Sequence, residues 1–301
     1  MKYYSLFAGT LVCAASLTSI HANATEGGGN AYPNGAEGFM AGALPPSGFY
    51  YQNFLNHYTV DKLADGNGHD SGYGINIQAT ADVSRFIYMT NHKLLGADWG
   101  MYTTIPLVHI SGDLSVGDKQ LANSSTDGLG DISISPLMLA WHQPNFHYAF
   151  ALEVTTPSGE FNATSFANTG RNYWGFTPVF VATYLSNNFE ASAKVMYDFN
   201  GKNDDTQYKS GQEFHFDYAL GYHLNNYTVG LAGYYYQQMT NDKQNGEVYL
   251  DGYKGKVFAV GPAVKIDTQA GYSVELRYQK EMAAEYKPEG DKFWLKFTTK
   301  L

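Results

Sequence analysis

The twelve residues Glu213–Leu224, EFHFDYALGYHL, alternate almost without exception. One set is Phe214, Phe216, Tyr218, Leu220, Tyr222 and Leu224; the other is Glu213, His215, Asp217, Ala219, Gly221 and His223. Successive side chains of a strand point to opposite faces, so the stretch predicts a strand with one apolar face and one polar face. Two architectures fit that pattern. In a soluble sandwich the aromatic row is core; in an outer-membrane barrel it faces lipid and the charged row lines an enclosed interior.

The beginning of the chain bears on the choice. MKYYSLFAGTLVCAASLTSIHANA has an early Lys2, an apolar middle from Leu6 to Leu17 and a small-x-small end at Ala22–Ala24. This layout predicts a cleaved secretory signal over residues 1–24. The apolar run is too short for a spanning helix, which needs about 20 apolar residues. The only cysteine, Cys13, lies inside it, so the mature chain is expected to have no disulfide, thiolate nucleophile or cysteine metal site. The charge balance of 19 Lys+Arg against 28 Asp+Glu argues against nucleic acid as a partner. Charged residues make up only 16% of the chain, whereas 25 Tyr, 18 Phe and 4 Trp make it rich in aromatics. The chain is apolar in the manner of strands.

Residues 25–47 are Gly/Pro-rich and aperiodic, and are read as an N-terminal segment outside the main fold. From 48 to 301 the chain divides into twelve alternating runs, at 48–59, 74–90, 97–110, 129–142, 146–156, 171–185, 189–199, 211–223, 227–239, 254–266, 272–281 and 291–301. Each meets or exceeds the roughly 9–11 residues a tilted strand needs to cross a bilayer. The connectors alternate between long (60–73, 111–128, 157–170, 200–210, 240–253, 282–290) and short (91–96, 143–145, 186–188, 224–226, 267–271). Long loops on one side and short turns on the other, with both barrel termini on the short-turn side, is the layout of a bacterial outer-membrane barrel. The fold class is therefore all-β, a transmembrane antiparallel barrel of about twelve strands in the Gram-negative outer membrane. The outer-membrane lipid and the barrel-assembly machinery follow as partners. The charged row of the opening stretch faces inward. Tyr50, Tyr51, Tyr234, Tyr235, Tyr236 and Trp294, near strand ends, are expected at the headgroup girdles. In 74–90 the alternation changes phase near Arg85, which predicts a bulge; runs 129–142 and 171–185 are ambiguous.

TEGGGNAYPNGAEGFMAGALPPSGFY, from Thr25 to Tyr50, resembles the start of mature proteins in a family described as involved in the meta-pathway of phenol degradation. KLLGADWGMYTTIPLV, GLGDISISPLMLAWH and NYWGFTPVFVATYLS are similar to that family as well. The terminal run DKFWLKFTTKL resembles the closing signal of outer-membrane barrels, with Leu301 in place of the usual Phe. The family includes a SphA-like group and is distantly similar to FadL-type channels for hydrophobic compounds. The resemblance implies a barrel that takes up aromatic or other hydrophobic compounds, and it supplies no catalytic residues.

Among motifs that carry chemistry, His215 and Asp217, with Glu213 and His223 nearby, can be drawn as part of a hydrolytic site, but no strained G-x-S-x-G elbow supplies a nucleophile. DGNGHDSG, 65–72, resembles a calcium loop loosely and lacks the closing Glu. No metal or cofactor is called for, and no phosphate-binding motif is present. The distributed signal is the inward row: Glu153, Glu190, Lys194, Asp198, Glu213, His215, Asp217, Lys265, Glu275, Arg277 and Lys296. These fit either a salt-bridged packing of the lumen or a narrow, mildly acidic conduit. In the conduit reading residues 25–47 fold back as a plug, and Phe39, Met40 and Leu44 offer contacts to a ligand. The favoured function is a non-enzymatic channel for passive uptake of small hydrophobic compounds. A lipid-modifying barrel hydrolase and a surface-interaction barrel acting through its long loops are the alternatives.

Overall fold

The computed structural model describes Glu26 and residues 29–301; the signal-peptide expectation falls outside the described residues. The strands are β1 (Gly48–Leu63), β2 (Gly74–Leu94), β3 (Ala97–Val116), β4 (Lys119–Leu129), β5 (Ser133–His142), β6 (Phe146–Thr155), β7 (Gly175–Ser186) and β8 (Phe189–Asn200). They continue with β9 (Tyr208–Lys209), β10 (Glu213–Leu224), β11 (Tyr227–Gln238), β12 (Lys243–Gln244), β13 (Glu247–Val248), β14 (Lys256–Asp267), β15 (Tyr272–Glu285) and β16 (Pro288–Lys300). The main sheet is antiparallel throughout and closes on itself, β1 pairing with both β16 and β2, and β2 with β3. β5 pairs with the first half of β3 and β4 with the second, so β4 and β5 occupy one position in the wall. The result is a closed twelve-stranded barrel. Closure pairs every strand and leaves no edge in the lipid, as a sheet in a membrane requires.

The opening stretch is β10. Glu213, His215, Asp217 and Ala219 are buried in the interior, and Leu220 and Tyr222 lie about half exposed on the outside. β8, β15 and β16 have the same facing, with Phe189, Leu276 and Phe293 outward and Glu190, Arg277 and Lys296 inward. The start of β1 and the end of β16 lie with the short turns, the periplasmic end by the usual arrangement.

Three expectations change. Connectors 111–128 and 282–290, read as loops, are largely strand: β3 and β4 extend as one hairpin, and β15 and β16 meet at a tight turn. Above the bilayer both faces meet water, so the apolar alternation that marks a wall strand disappears. Second, β2 has no bulge at Arg85. Its register with β1 and β3 is unbroken from Ile77 to Met89, and Val83, Ile87 and Met89 are buried in the lumen. The apparent change of phase is an inner row that is itself apolar. Register shifts lie elsewhere, among them between Ile134 and Leu137 of β5 and between Gly100 and Tyr102 of β3, and in β2 only beyond this run, between Met89 and Lys93. Third, Tyr50, Tyr234, Tyr236 and Trp294 are buried inside and not at the girdles. Tyr234 and Tyr236 share the inward row that lies opposite Asp217 and His215, and their hydroxyls donate to Glu281 and Glu213.

Candidate functional site

Residues 29–47 contain no strand, and they run through the lumen from the short-turn end, where β1 starts, to the long-loop end. There Glu26 N–H donates to Ser210 Oγ (3.3 Å), and Asn203 Nδ2 donates to Glu26 Oε2 (2.9 Å). Going inward, Asn30 donates to Glu213 (2.9 Å) and Lys287 donates to Asn30 (2.9 Å). Asp217 accepts from the Tyr32 hydroxyl, Gly35 N–H (2.9 Å) and Glu37 N–H (3.1 Å). Arg277 donates to the Ala36 carbonyl (2.7 Å), and Glu275 accepts from Phe39 N–H (3.2 Å). Met40 N–H donates to Glu190 and to Ser192 Oγ (3.1 Å), and Gly42 N–H donates to Thr183 Oγ1 (2.9 Å). A buried carboxylate and an unpaired backbone N–H are each costly alone; here each satisfies the other.

The glycine-rich composition is what lets this aperiodic stretch pass so near the wall. A Cβ on Gly42 would lie 2.5 Å from Ala182 and Thr183 backbone atoms, and one on Gly221 of β10 would lie 2.7 Å from the Phe39 ring. Phe39 is accordingly buried against the wall.

Halfway along, Glu37 enters a cage of three cations. Arg85 Nη1 donates to Glu37 Oε1, Lys296 Nζ donates to Oε2 (2.8 Å), and Lys194 Nζ stands 3.9 Å from Oε1. The four side chains are at most 12% exposed. Arg85 also lies over the Phe54 ring and Lys194 over the Tyr32 ring, 4.7 and 4.2 Å from the centroids. Aromatic faces thus lie against two of the cations, and Glu153 and Asp217 of the wall also act on them.

Below Glu37 the lumen is open. A cavity of about 420 Å³ extends from the cage to the short-turn end, past the turn at Thr268–Gly271 and Lys300. One wall is apolar, built from Leu44, Ile87, Met138, Val179 and Val181. Its charged lining holds five cations (Arg85, Lys194, Lys265, Lys296, Lys300) and three carboxylates (Glu37, Asp267, Glu275). The expectation of an acidic conduit is reversed at this end, because of the inner-row acids only Glu275 lines the cavity, and the others meet the N-terminal segment or wall partners.

The remaining inward residues are in place but separated by role. Asp198 accepts from Thr177 (2.8 Å), Glu153 accepts from the Tyr102 hydroxyl (2.7 Å), and Lys265 pairs with Asp267 (2.7 Å). His215 Nε2 is 3.0 Å from Asp198 and 3.7 Å from Glu213, and its Nδ1 meets the Asn34 side-chain oxygen. Ligand atoms of Asp198, Glu213 and His215 lie within 4.8 Å of one another, close enough for a metal ion. A ring nitrogen held between two carboxylates explains the same geometry, and no metal is assigned. Asp217 turns to Tyr32, Gly35 and Glu37 of the N-terminal segment, so the drawn His215–Asp217 pair does not form. The loop at 65–72 is an Asx turn, in which Asp65 accepts from Asn67 and His69 N–H groups (2.8 and 2.9 Å). Sequence reading missed Glu37, Arg85, Tyr102, Glu281 and Lys292. The available signal for Glu37 was an acid within the glycine-rich segment, one of two there with Glu26.

The fold is similar to an outer-membrane channel from Pseudomonas putida F1, with a TM-score of 0.72 and 14% identity, over 87% of this chain and 98% of that one. The β domain of the Bordetella autotransporter BrkA is a more distant likeness, at TM-score 0.44 and 10% identity over 85% of this chain and all of the other. No curated protein matches the sequence. Residues 60–297 match the family described as "Putative MetA-pathway of phenol degradation", and the chain therefore belongs to that family, as a Gram-negative outer-membrane β-barrel.

Proposed function

We propose that the protein is a passive, non-enzymatic channel for small hydrophobic compounds, aromatic ones among them, with residues 25–47 as its plug. The observation that carries this reading is the 420 Å³ cavity with an apolar wall inside an otherwise polar lumen. A closed membrane barrel has no reason to keep apolar side chains and empty space together unless something apolar occupies that space. The family description and the P. putida channel agree in kind. The hydrolase alternative loses support because the His215 ring meets an amide and two carboxylates and no hydroxyl.

The test is influx into proteoliposomes of toluene and of a sugar at equal gradients, with protein-free vesicles as baseline. Faster toluene entry without sugar entry is expected. Sugar entry would make the protein a general porin, and entry of neither by folded barrel would reject the channel.

A further inference from the structure

The Glu37 cage has the composition of an anion-binding site whose occupant is tethered. Three cations converge on one carboxylate, and that carboxylate belongs to the plug segment and not to the wall. The cage also forms the inner end of the cavity. We infer that Arg85, Lys194 and Lys296 form a carboxylate-exchange site, at which a small molecule with an apolar body and one carboxylate takes the place of Glu37 and releases the plug. The inference rests on the channel reading and names its substrate class.

Three physical points support exchange. First, breaking a buried ion pair by removing one partner is expensive because the other charge is left in a low-dielectric site. Replacing one carboxylate by another keeps the cations paired and lets water solvate the displaced Glu37; the cost that remains is the segment's contacts to Asp217, Glu275 and Arg277, which binding of the acid must offset. Second, a carboxylate suits the forked donors of Arg85, and the present occupant already has that shape. Third, the adjoining wall of Ile87 and Val179 accepts an apolar body, and the cavity lies within the usual size range of small-ligand pockets. A neutral compound of the same shape fills the cavity but cannot take over the cations, so it leaves Glu37 seated and crosses only at the basal rate of the plugged barrel. The cavity reaches the short-turn end, so with the barrel in detergent the acid has access to the cage from there.

The experiment uses the full barrel in detergent with Ala36→Cys as reporter, on a Cys13→Ser background. Ala36 is buried beside Arg277, so a thiol reagent reaches position 36 only when the segment leaves. Benzoate, benzyl alcohol and acetate are compared. Benzoate is expected to speed modification at least about tenfold, with little effect of the other two. Glu37→Gln is expected to react fast without ligand and to bind benzoate at least about tenfold tighter in equilibrium dialysis, since the tethered competitor is gone. Lys296→Met in the otherwise native chain is expected to weaken benzoate binding by a similar factor.

Equal effects of benzoate and benzyl alcohol would overturn the proposal. So would unchanged benzoate affinity in either Glu37→Gln or Lys296→Met, with heat-modifiable gel migration as the folding control. Toluene influx separates the two readings. Toluene entry with no benzoate effect rejects the exchange site and keeps the channel; the converse rejects the channel and keeps the site.

Discussion

The two halves of the lumen are built from the same kinds of residue and arrive at different states. In the half under the long loops, the carboxylates of Glu213, Asp217 and Glu281 meet Asn30, Tyr32, Tyr58, Tyr234 and Lys292 and leave little space. In the half next to the short turns, Lys265, Lys296 and Lys300 face a cavity with an apolar wall. The difference comes from the plug segment, which brings backbone N–H groups and hydroxyls to the first half and ends its polar contacts at Gly42 in the second. Buried carboxylates are tolerated where donors reach them. Surplus cations persist where a cavity leaves room for an anion. Charge in a barrel interior is therefore informative only together with what is packed against it.

Removing residues 25–47 should give the largest effect. It erases the first half's donors and opens the lumen, and ion conductance in planar bilayers should rise by an order of magnitude or more from the loss of a segment that fills the pore. Unchanged conductance would mean that the long loops close the barrel by themselves. Asp217→Ala should come next. It removes the acceptor of Tyr32, Gly35 and Glu37 in one step, at about 3 kcal/mol for a charge-assisted set. Accessibility of a cysteine at position 36 reads that loss, which should appear without collapse of the barrel. Gly42→Val tests the other half. Its side chain would meet wall backbone 2.5 Å from Cβ, which should cost about 1–3 kcal/mol and loosen the lower segment while Asp217 still holds the upper one. A smaller contrast separates inside from outside on β11. Tyr234→Phe should lower stability by about 1–2 kcal/mol through the lost contacts to Glu281 and Lys292. Tyr235→Phe, on the outer row, loses only the contact to Gln237 and should cost less, about 0.5 kcal/mol. Thermal unfolding followed by heat-modifiable migration checks both, and equal shifts would place the two tyrosines in similar surroundings.

The barrel was legible where its inner row is charged. In β8, β10, β15 and β16, Glu190, Asp217, Arg277 and Lys296 alternate with aromatic and aliphatic residues, and the period of two identifies both faces. β2 was harder because Val83, Ile87 and Met89 make its inner face as apolar as its outer one. Ile87 of that row lines the cavity and Arg85 joins the cage, so the strand that resisted pattern reading is one that shapes the candidate site. The tyrosines of β11 misled for a related reason: aromatic residues suit a lipid girdle and a buried hydrogen-bonding role equally, and composition does not separate them. Glu37 could not be assigned because its partners, Arg85, Lys194 and Lys296, come from three strands far apart in the chain. Only the closed barrel brings them together.

The path of the plug segment also constrains how the barrel can form. Glu26 stands at the long-loop mouth and Gly48 at the opposite end, so the chain is threaded through a cylinder whose final seam joins β1 to β16. That seam pairs Tyr50 with Lys300 and is among the least local contacts in the molecule. Long-range pairings of this kind form late. Threading a finished barrel would drag Tyr32 and Glu37 past a narrow wall, whereas closing the wall around a segment already in place would not. The segment thus ties β8, β10 and β15 to one another from within, through Glu190, Asp217 and Glu275, by contacts additional to the strand pairing.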